Sequence, residues 1–575
     1  MLSRILLCVF ASLREIIFQS RGRRVVLLCF PLFVFHSPKS PAQNLPIKFT
    51  RDDTLRGAQT PVRTCYDVSS YDLHLAVDVN KRFISGNNLI RFRVSNDFDS
   101  MQIDLFSRMK IEKIVFNGTE LKYRRELNSV FVRFPQTQRA GTNEEISVSY
   151  SGIPLFAKNP PWDGGFVWKK DIKGRDWIGV ACEGLGASTW WPCKDQLADE
   201  PDSMSMHYTA PTGLACVANG QLRDTINNMN GTTTWNWFVS YPINLYNVTF
   251  NLAYYAHFTD FFISGNKKLS LEYYVLDYNV LQARLQFQQV QTMMACYEKY
   301  FGNYPFWRDG YKLVEAPYWG MEHQSAIAYG NDYVNNKDGF DFIIIHESAH
   351  EWWGNNVSAN DYADLWIHES FATYAEALYV ECTKSYDDAI AYLKNLRWEI
   401  RDSFPIVGIR GVNYDGSKID NDLYFKGAWM LHTFRSVLHD DTLFFKIIRG
   451  LQSEFALKTI STDDVIAYVN RMSGEDYSTF FHQYLYHPSP PVFEYKTKQK
   501  GQNTQLTFRW RTGVASFAMP VEVTSYYRYE FGKATKQFMR VNATEDWQIV
   551  TIPNFNANDF DVNSDRFYVK KEEVR

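Results

Sequence analysis

Two histidines four positions apart, His346 and His350, enclose Glu347 in a His-Glu-x-x-His run. On a helix that spacing puts both imidazoles on one face, one turn apart, where they can share a cation. Zinc suits the pair, because it accepts imidazole and carboxylate together in a tetrahedron and keeps one position open for water. The third ligand is read as Glu369, 19 positions after His350, in a segment from Leu365 to Ala372 that looks like the start of a second, antiparallel helix. Glu347 points about 100° away from His346 around its helix, so it is a poor ligand but can reach water at the metal as a general base. His368, beside Glu369, is read as a core or supporting residue rather than a ligand. The chemistry available to such a set is metal-assisted hydrolysis.

These residues need rigid elements around them, and the flanking sequence supplies a pattern for them. Phe342 to Ile345 before the motif and Trp352 and Trp353 after it are apolar, as a buried helix next to a site should be. Upstream, from about Tyr66 to Tyr274, short alternating runs such as Ser69 to Val77, Asn88 to Val94 and Glu145 to Tyr150 predict strands. Asn-Gly turns at 117–118 and 219–220 punctuate them. Near residue 278 the spacing turns helical, beginning with Val280 to Phe301, and helices are expected to about Tyr486. After Pro488, Pro490 and Pro491 alternation returns in Leu506 to Arg511 and Pro520 to Tyr529, which predicts a small β-sandwich. The fold class is thus multidomain α and β: residues 44–277 a β domain, 278–490 a mainly α catalytic domain, and 491–575 a C-terminal β-sandwich. A chain of 575 residues is too long for one core, in keeping with about three to five domains.

With 61 basic against 64 acidic residues and a net charge of −3, the chain lacks the electrostatic footprint of a nucleic-acid binder. The first 43 residues form a leader in this reading. Arg21, Arg23 and Arg24 precede an apolar run from Val25 to Phe35, with Ser40 and Ala42 at a cleavage site, so export to a periplasmic or extracellular compartment is expected. Eleven apolar residues are too few for a membrane-spanning helix, so no stable span is expected in the mature chain, only membrane association if the leader is retained. An earlier apolar stretch, Ile5 to Leu13, leaves a tandem leader or an upstream start site open. The six remaining cysteines, at 65, 182, 193, 216, 296 and 382, show no zinc-ribbon or disulfide framework; free buried thiols are expected, with Cys182–Cys193 as the candidate pair. Asn117, Asn230, Asn247 and Asn542 stand in glycosylation sequons.

Several separated segments between about residues 66 and 490 resemble the gluzincin aminopeptidases, typified by aminopeptidase N and leukotriene hydrolase. His-Glu-x-x-His, eighteen intervening residues and Glu is that family's zinc signature, present intact. Gly320-Met321-Glu322-His323 looks like the family's Gly-x-Met-Glu-Asn motif, whose glutamate grips the free α-ammonium of the substrate; His323 replaces the usual Asn and puts subsite geometry in question. Tyr424-Phe425-Lys426-Gly427-Ala428 resembles the segment whose tyrosine stabilises the oxyanion. Trp191-Pro192-Cys193-Lys194-Asp195 is similar to the family's Pro-Cys-x-Asp landmark, and Glu183, ten residues before Cys193, falls where the family supplies a second amine-binding residue.

The resemblance implies a saddle-like β domain, a thermolysin-like catalytic domain and a small β-sandwich, in a compact form without the C-terminal helical domain of larger members and with a more open cleft. It implies one zinc per chain and peptide substrates with a free N-terminus. Glu347 and Tyr424 would be catalytic, and Glu183, Gly320, Met321 and Glu322 would bind substrate. A thermolysin-like endopeptidase would use the same ligands and base, and Glu322 argues against it. Epoxide hydrolysis and a non-catalytic peptide-binding module are further alternatives; no lipid pocket is marked for the first, and the second usually entails loss of a ligand or the base.

Overall fold

The computed structural model describes residues 48–414, 420–530 and 533–574, so the leader lies outside the described residues. The strand Tyr66–Asp78 pairs in parallel with Ser203–Pro211 and antiparallel with Phe83–Val94 at the centre of an eight-stranded sheet. Its burial alternates, with Leu73, Leu75 and Val77 inward, because one face packs on the core and the other meets water. A four-stranded sheet that includes Asp176–Ala181 and Phe250–Ala253 carries the chain toward Glu183.

A third sheet of five strands runs Tyr255–Ser264, Lys267–Leu276, Tyr311–Glu315, Ile327–Tyr329 and Gly320–Met321. Lys267–Leu276 pairs in parallel with Tyr311–Glu315, so a boundary at residue 278 runs through this sheet. Alternation marks Tyr255–Leu276 as strand, but nothing local says which sheet it joins. The sheet's last strand, Gly320–Met321, ends directly before Glu322.

The predicted helix from Val280 to Phe301 is two helices, Val280–Gln286 and Gln289–Phe301. The motif helix, Phe342–Ala349, starts at Asp341, whose carboxylate accepts the Ile343 N–H at 3.2 Å as its N-cap. The helix Trp366–Thr383 carries Glu369 and is buried on all sides from Trp366 to Val380, its polar residues His368, Glu369, Ser370, Thr373 and Glu376 included. It packs between the motif helix and the helix Asp422–Leu438, which carries Tyr424. After Val492 a four-stranded sheet and the hairpin Met519–Glu530/Lys533–Ala543 form the C-terminal β unit, joined where the Trp510 indole N–H donates to Met519 O at 2.8 Å. The three-part α and β architecture agrees with the expected fold class. No helix among the described residues is long and apolar enough to cross a membrane.

The cysteine reading is corrected. Cys296 and Cys382 form a disulfide that ties Gln289–Phe301 to Trp366–Thr383, while Cys65, Cys182, Cys193 and Cys216 are buried and unpaired. Partners 86 residues apart in sequence meet only through helix packing, which cysteine spacing does not report. The Asn247 sequon is corrected too: Asn247 is fully buried and its amide donates to Asn355 Oδ1 at 2.6 Å, so the folded chain leaves no room for a glycan there. The disulfide closes a long loop onto the Glu369-bearing helix. Replacing both Cys296 and Cys382 by Ser is expected to lower the unfolding free energy by about 2–4 kcal/mol, read by urea unfolding with wild type as reference. Equal midpoints for the two proteins would show that the bridge contributes nothing.

Candidate metal centre and substrate cavity

His346 sits in the motif helix, and His350 keeps right-handed helical angles at its C-cap, φ −65° and ψ −20°, so the two imidazoles remain one turn apart. Their Nε2 atoms are 3.4 Å apart, and Glu369 Oε2 lies 3.5 Å from each. A tetrahedral zinc with ligands at about 2.0–2.1 Å requires ligand-to-ligand edges of about 3.3–3.4 Å, so the triangle has the size of one face of that tetrahedron. Glu369 Oε2 is buried and takes no hydrogen bond, as an atom reserved for a cation should. The two remaining ring nitrogens are committed elsewhere: His346 Nδ1 donates to Glu376 Oε1 at 2.7 Å and His350 Nδ1 to Trp353 O at 2.9 Å. Both bonds leave the Nε2 lone pairs facing inward. The residues fit zinc.

Close contacts hold the elements around the site at this spacing. The rings of Trp353 and Phe371 stack with centroids 3.9 Å apart and planes 9° apart, clamping the end of the motif helix to the start of the Glu369 helix. Ser370 Oγ donates to Leu423 O at 2.6 Å, and a Cβ at Gly427 would come within 1.8 Å of that hydroxyl oxygen. Gly427 therefore lets the Tyr424 helix approach the Glu369 helix. On the opposite wall, a Cβ at Gly320 would come within 2.6 Å of Glu347 Oε1 and 2.8 Å of Ile343 Cδ1, so the edge strand can lie against Glu347 only as glycine.

A cavity of about 320 Å³ opens on this centre. Glu183, Gly320, Met321, Glu322, Glu347, Tyr424 and the three metal-site residues all line it, so the fold brings together every site residue expected from the sequence. Single oxygens of Glu183, Glu322 and Glu369 lie within 4.8 Å of one another, as do ligand atoms of Glu322, Glu347 and His350. Burial pushes Glu347 up to about 7, with His346 pulling the other way. Burial also holds the Tyr424 phenol well above its ordinary value, reinforced by Glu369, so it keeps its proton. Its ring lies 6.3 Å from that of His346.

His368 is not a ligand. Its Nε2 accepts the Ala359 N–H at 2.8 Å, which leaves the ring proton on Nδ1, 3.3 Å from Tyr246 OH; that hydroxyl in turn donates to Glu322 Oε1 at 2.9 Å. The chain of bonds fixes the Glu322 carboxylate from behind. His323 is wholly buried, neither ring nitrogen has a hydrogen-bond partner, and it is absent from the cavity lining; burial lowers it to about 3, so it is neutral.

Glu376 and Tyr246 were missed from the sequence. Glu376 follows Glu369 by seven positions, two turns along one helix face, and that periodicity was the available signal. Tyr246 is 76 residues from Glu322 and had none.

Two outcomes follow from the outer contacts. Glu376→Gln is expected to weaken zinc binding about 10–100-fold, since the carboxylate that orients His346 loses its charge; competition with a chromogenic chelator measures it, and unchanged affinity would remove Glu376 from that role. Protons and metal compete for the same Nε2 lone pairs. Burial opposes the imidazolium at His350, but Glu369 outweighs it and raises His350 to about 9; His346 is raised well above its ordinary value by Glu369 and Glu376 against the same opposition. Zinc affinity should therefore rise with pH through neutrality to about 9, with protons released on binding, as calorimetry in buffers of different ionisation enthalpy would show.

Residues 285–484 match the Peptidase family M1 domain. Aminopeptidase M1-A of rice, Oryza sativa, is 27% identical over 209 residues, 34% of this chain and 24% of the relative. Mouse endoplasmic reticulum aminopeptidase 1 is 24% identical over 302 residues, 49% of this chain and 32% of its own length. Probable aminopeptidase 1 of Sulfurisphaera tokodaii is 21% identical over 452 residues, 74% of this chain and 54% of the relative. The matches thus span between about a quarter and a half of these relatives. Among solved structures, a two-domain M1 zinc metallopeptidase mutant bound to L-tryptophan superposes with a TM-score of 0.65 at 21% identity, covering 75% of this chain and 96% of that one. A Deinococcus radiodurans M1 zinc metallopeptidase mutant bound to a Tyr-Ser-Ala substrate gives 0.64 at 22% identity, over 73% and 94%. Residues 285–484 thus match a Peptidase family M1 domain, and the fold is shared with M1 zinc metallopeptidases.

Proposed function

We propose that this chain is a zinc-dependent aminopeptidase that hydrolyses the N-terminal peptide bond of peptides with a free α-amine. One observation carries the reading: among the described residues the cavity is lined by five glutamates, Glu183, Glu322, Glu347, Glu369 and Glu376, and by no lysine or arginine. Carboxylates crowded within 4.8 Å in a buried site repel unless cations lie among them. His346, His350 and Glu369 would hold one such cation. Glu183, whose Oε1 is buried and without a partner, and Glu322 would hold the other, the substrate's ammonium group.

A bound zinc supplies Lewis acidity, polarising the scissile carbonyl and lowering the pKa of water. Glu347, at about 7, is poised to take the proton of the attacking water and return it to the leaving amine. The Tyr424 hydroxyl, kept protonated, donates to the oxygen on which negative charge develops. Glu322, held from behind by Tyr246, and Glu183 fix the amine so that the first peptide bond meets the base. The relatives named above are called aminopeptidases, which supports the same reading. Export of the chain is part of the proposal, supported by the leader-like first 43 residues and by a disulfide of the kind that persists in oxidising compartments.

The test compares kcat/KM for an amino-acid amide and its N-acetylated counterpart, in wild type and in Glu322→Ala. Wild type should strongly prefer the free amine. Glu322→Ala should lose about 30-fold or more on the free-amine substrate with zinc content unchanged, since an unpaired buried ammonium costs about 2–5 kcal/mol. Equal cleavage of blocked and free substrates by wild type would replace the exopeptidase with a thermolysin-like endopeptidase.

A further inference from the structure

A second His-His-Asp cluster stands on the eight-stranded sheet, built from residues that the hydrolytic site does not use. Asp72 and His74 are two apart on Tyr66–Asp78 and so share a face. His74 lies directly opposite His207 in the parallel pairing with Ser203–Pro211. The same cross-strand row continues through Asn236 to Asp224, each opposite its neighbour in register. Asp72 Oδ1 is 3.1 Å from His74 Nε2 and 3.1 Å from His207 Nε2, and the two imidazoles stack with centroids 4.3 Å apart at 17°.

The protons on this row can be assigned. Asp224 only accepts, so the Asn236 amide NH₂ faces it and the Asn236 carbonyl faces His207. His207 Nδ1 lies 2.6 Å from that carbonyl and must donate to it. In neutral His207 the proton is thereby spent, and a bare Nε2 lone pair faces the Asp72 carboxylate. Asp72 Oδ1 is itself shielded from solvent and faces the Nε2 atoms of both rings. The two ring Nε2 atoms and the carboxylate oxygen lie within 4.8 Å of one another, His74 can carry its proton on Nδ1 when a metal takes Nε2, and the outer nitrogen of His207 is anchored through Asn236 to a carboxylate, the arrangement that orients a metal-binding histidine.

We propose that Asp72, His74 and His207 form a second divalent-metal site, selective for zinc or another imidazole-preferring transition metal over calcium or magnesium. Two imidazoles and one carboxylate make a three-ligand set with its fourth position left for water or a ligand atom. His207, Asn236 and Asp224 line an open groove of about 390 Å³, which gives solvent access to the row. Binding splays the stacked rings so that both Nε2 lone pairs meet at one point. This site is independent of hydrolysis, since none of its residues lines the substrate cavity.

The test is zinc stoichiometry of the full chain after equilibrium dialysis against low-micromolar zinc. Wild type should retain about two ions, His74→Gln with His207→Gln about one, and His350→Ala about one held at the sheet. The double variant should hydrolyse amino-acid amides at the wild-type rate. Asn236→Ala should weaken only the second ion, about 10–100-fold. His74 is 56% exposed, so His74→Gln alone provides a variant whose fold is not at risk. Wild type retaining a single ion, or the double variant still retaining two, would overturn the proposal and leave Asp72 balanced by an imidazolium alone.

Discussion

Glu369 Oε2 has to meet two imidazoles from another helix at 3.5 Å, and most of the catalytic region can be read as the means of holding that distance. A shift of one ångström between the helices would break the triangle, and a triangle of the wrong size does not bind zinc. Helices pack through side chains that interdigitate at near-crystalline density, so the spacing is set by a few contacts that admit no slack. Here they are the Trp353–Phe371 stack, the Ser370 bond to Leu423, and the Tyr297 hydroxyl donating to Ile345 O at 2.7 Å from the helix that the disulfide secures. Burial of the Glu369 helix from Trp366 to Val380 makes it the fixed part against which the other two are set.

The same burial governs the electrostatics. Five carboxylates share a cavity that no described lysine or arginine lines, an arrangement that destabilises the fold unless protons or bound cations compensate it. Burial raises Glu183 and Glu322, while the imidazoles are raised by the carboxylates around them. Repulsion of this kind in the free site is relieved by protons or by bound cations. Tyr246 and His368 hold the Glu322 carboxylate in its orientation, because a carboxylate free to rotate would swing toward solvent or toward the metal site.

The chain's secondary structure was largely legible. Alternation marked Tyr66–Asp78, Phe83–Val94 and Asn143–Gly152 as strands, and the Asn-Gly pair at 117–118 forms its turn with φ of 48° and 76°. The single helix expected to Phe301 is interrupted near Phe287, because apolar periodicity runs through a short break without registering it. The division at residue 278 separated strands that pair across it, because pairing partners leave no mark in a strand's own residues. Cysteine spacing likewise misread Cys296 and Cys382, which lie on two helices whose contact is purely tertiary.

The sequence by itself determined the chemistry of the centre: His346, Glu347 and His350 are bound together by helical geometry, and a four-residue spacing leaves their relative placement little freedom. Glu369, Glu322 and Tyr424 were legible as residue types in recognisable segments. What the tertiary structure decided is that they share one cavity, that Glu183 enters it from the β half with an unpaired oxygen, and that Glu376, Tyr246 and His368 hold the inner groups in place. It also set His74 against His207 across strands 133 residues apart in sequence. Local spacing fixes only what one turn or one strand can span, and every group that arrives from further away is placed by packing and sheet register, which sequence distance does not encode.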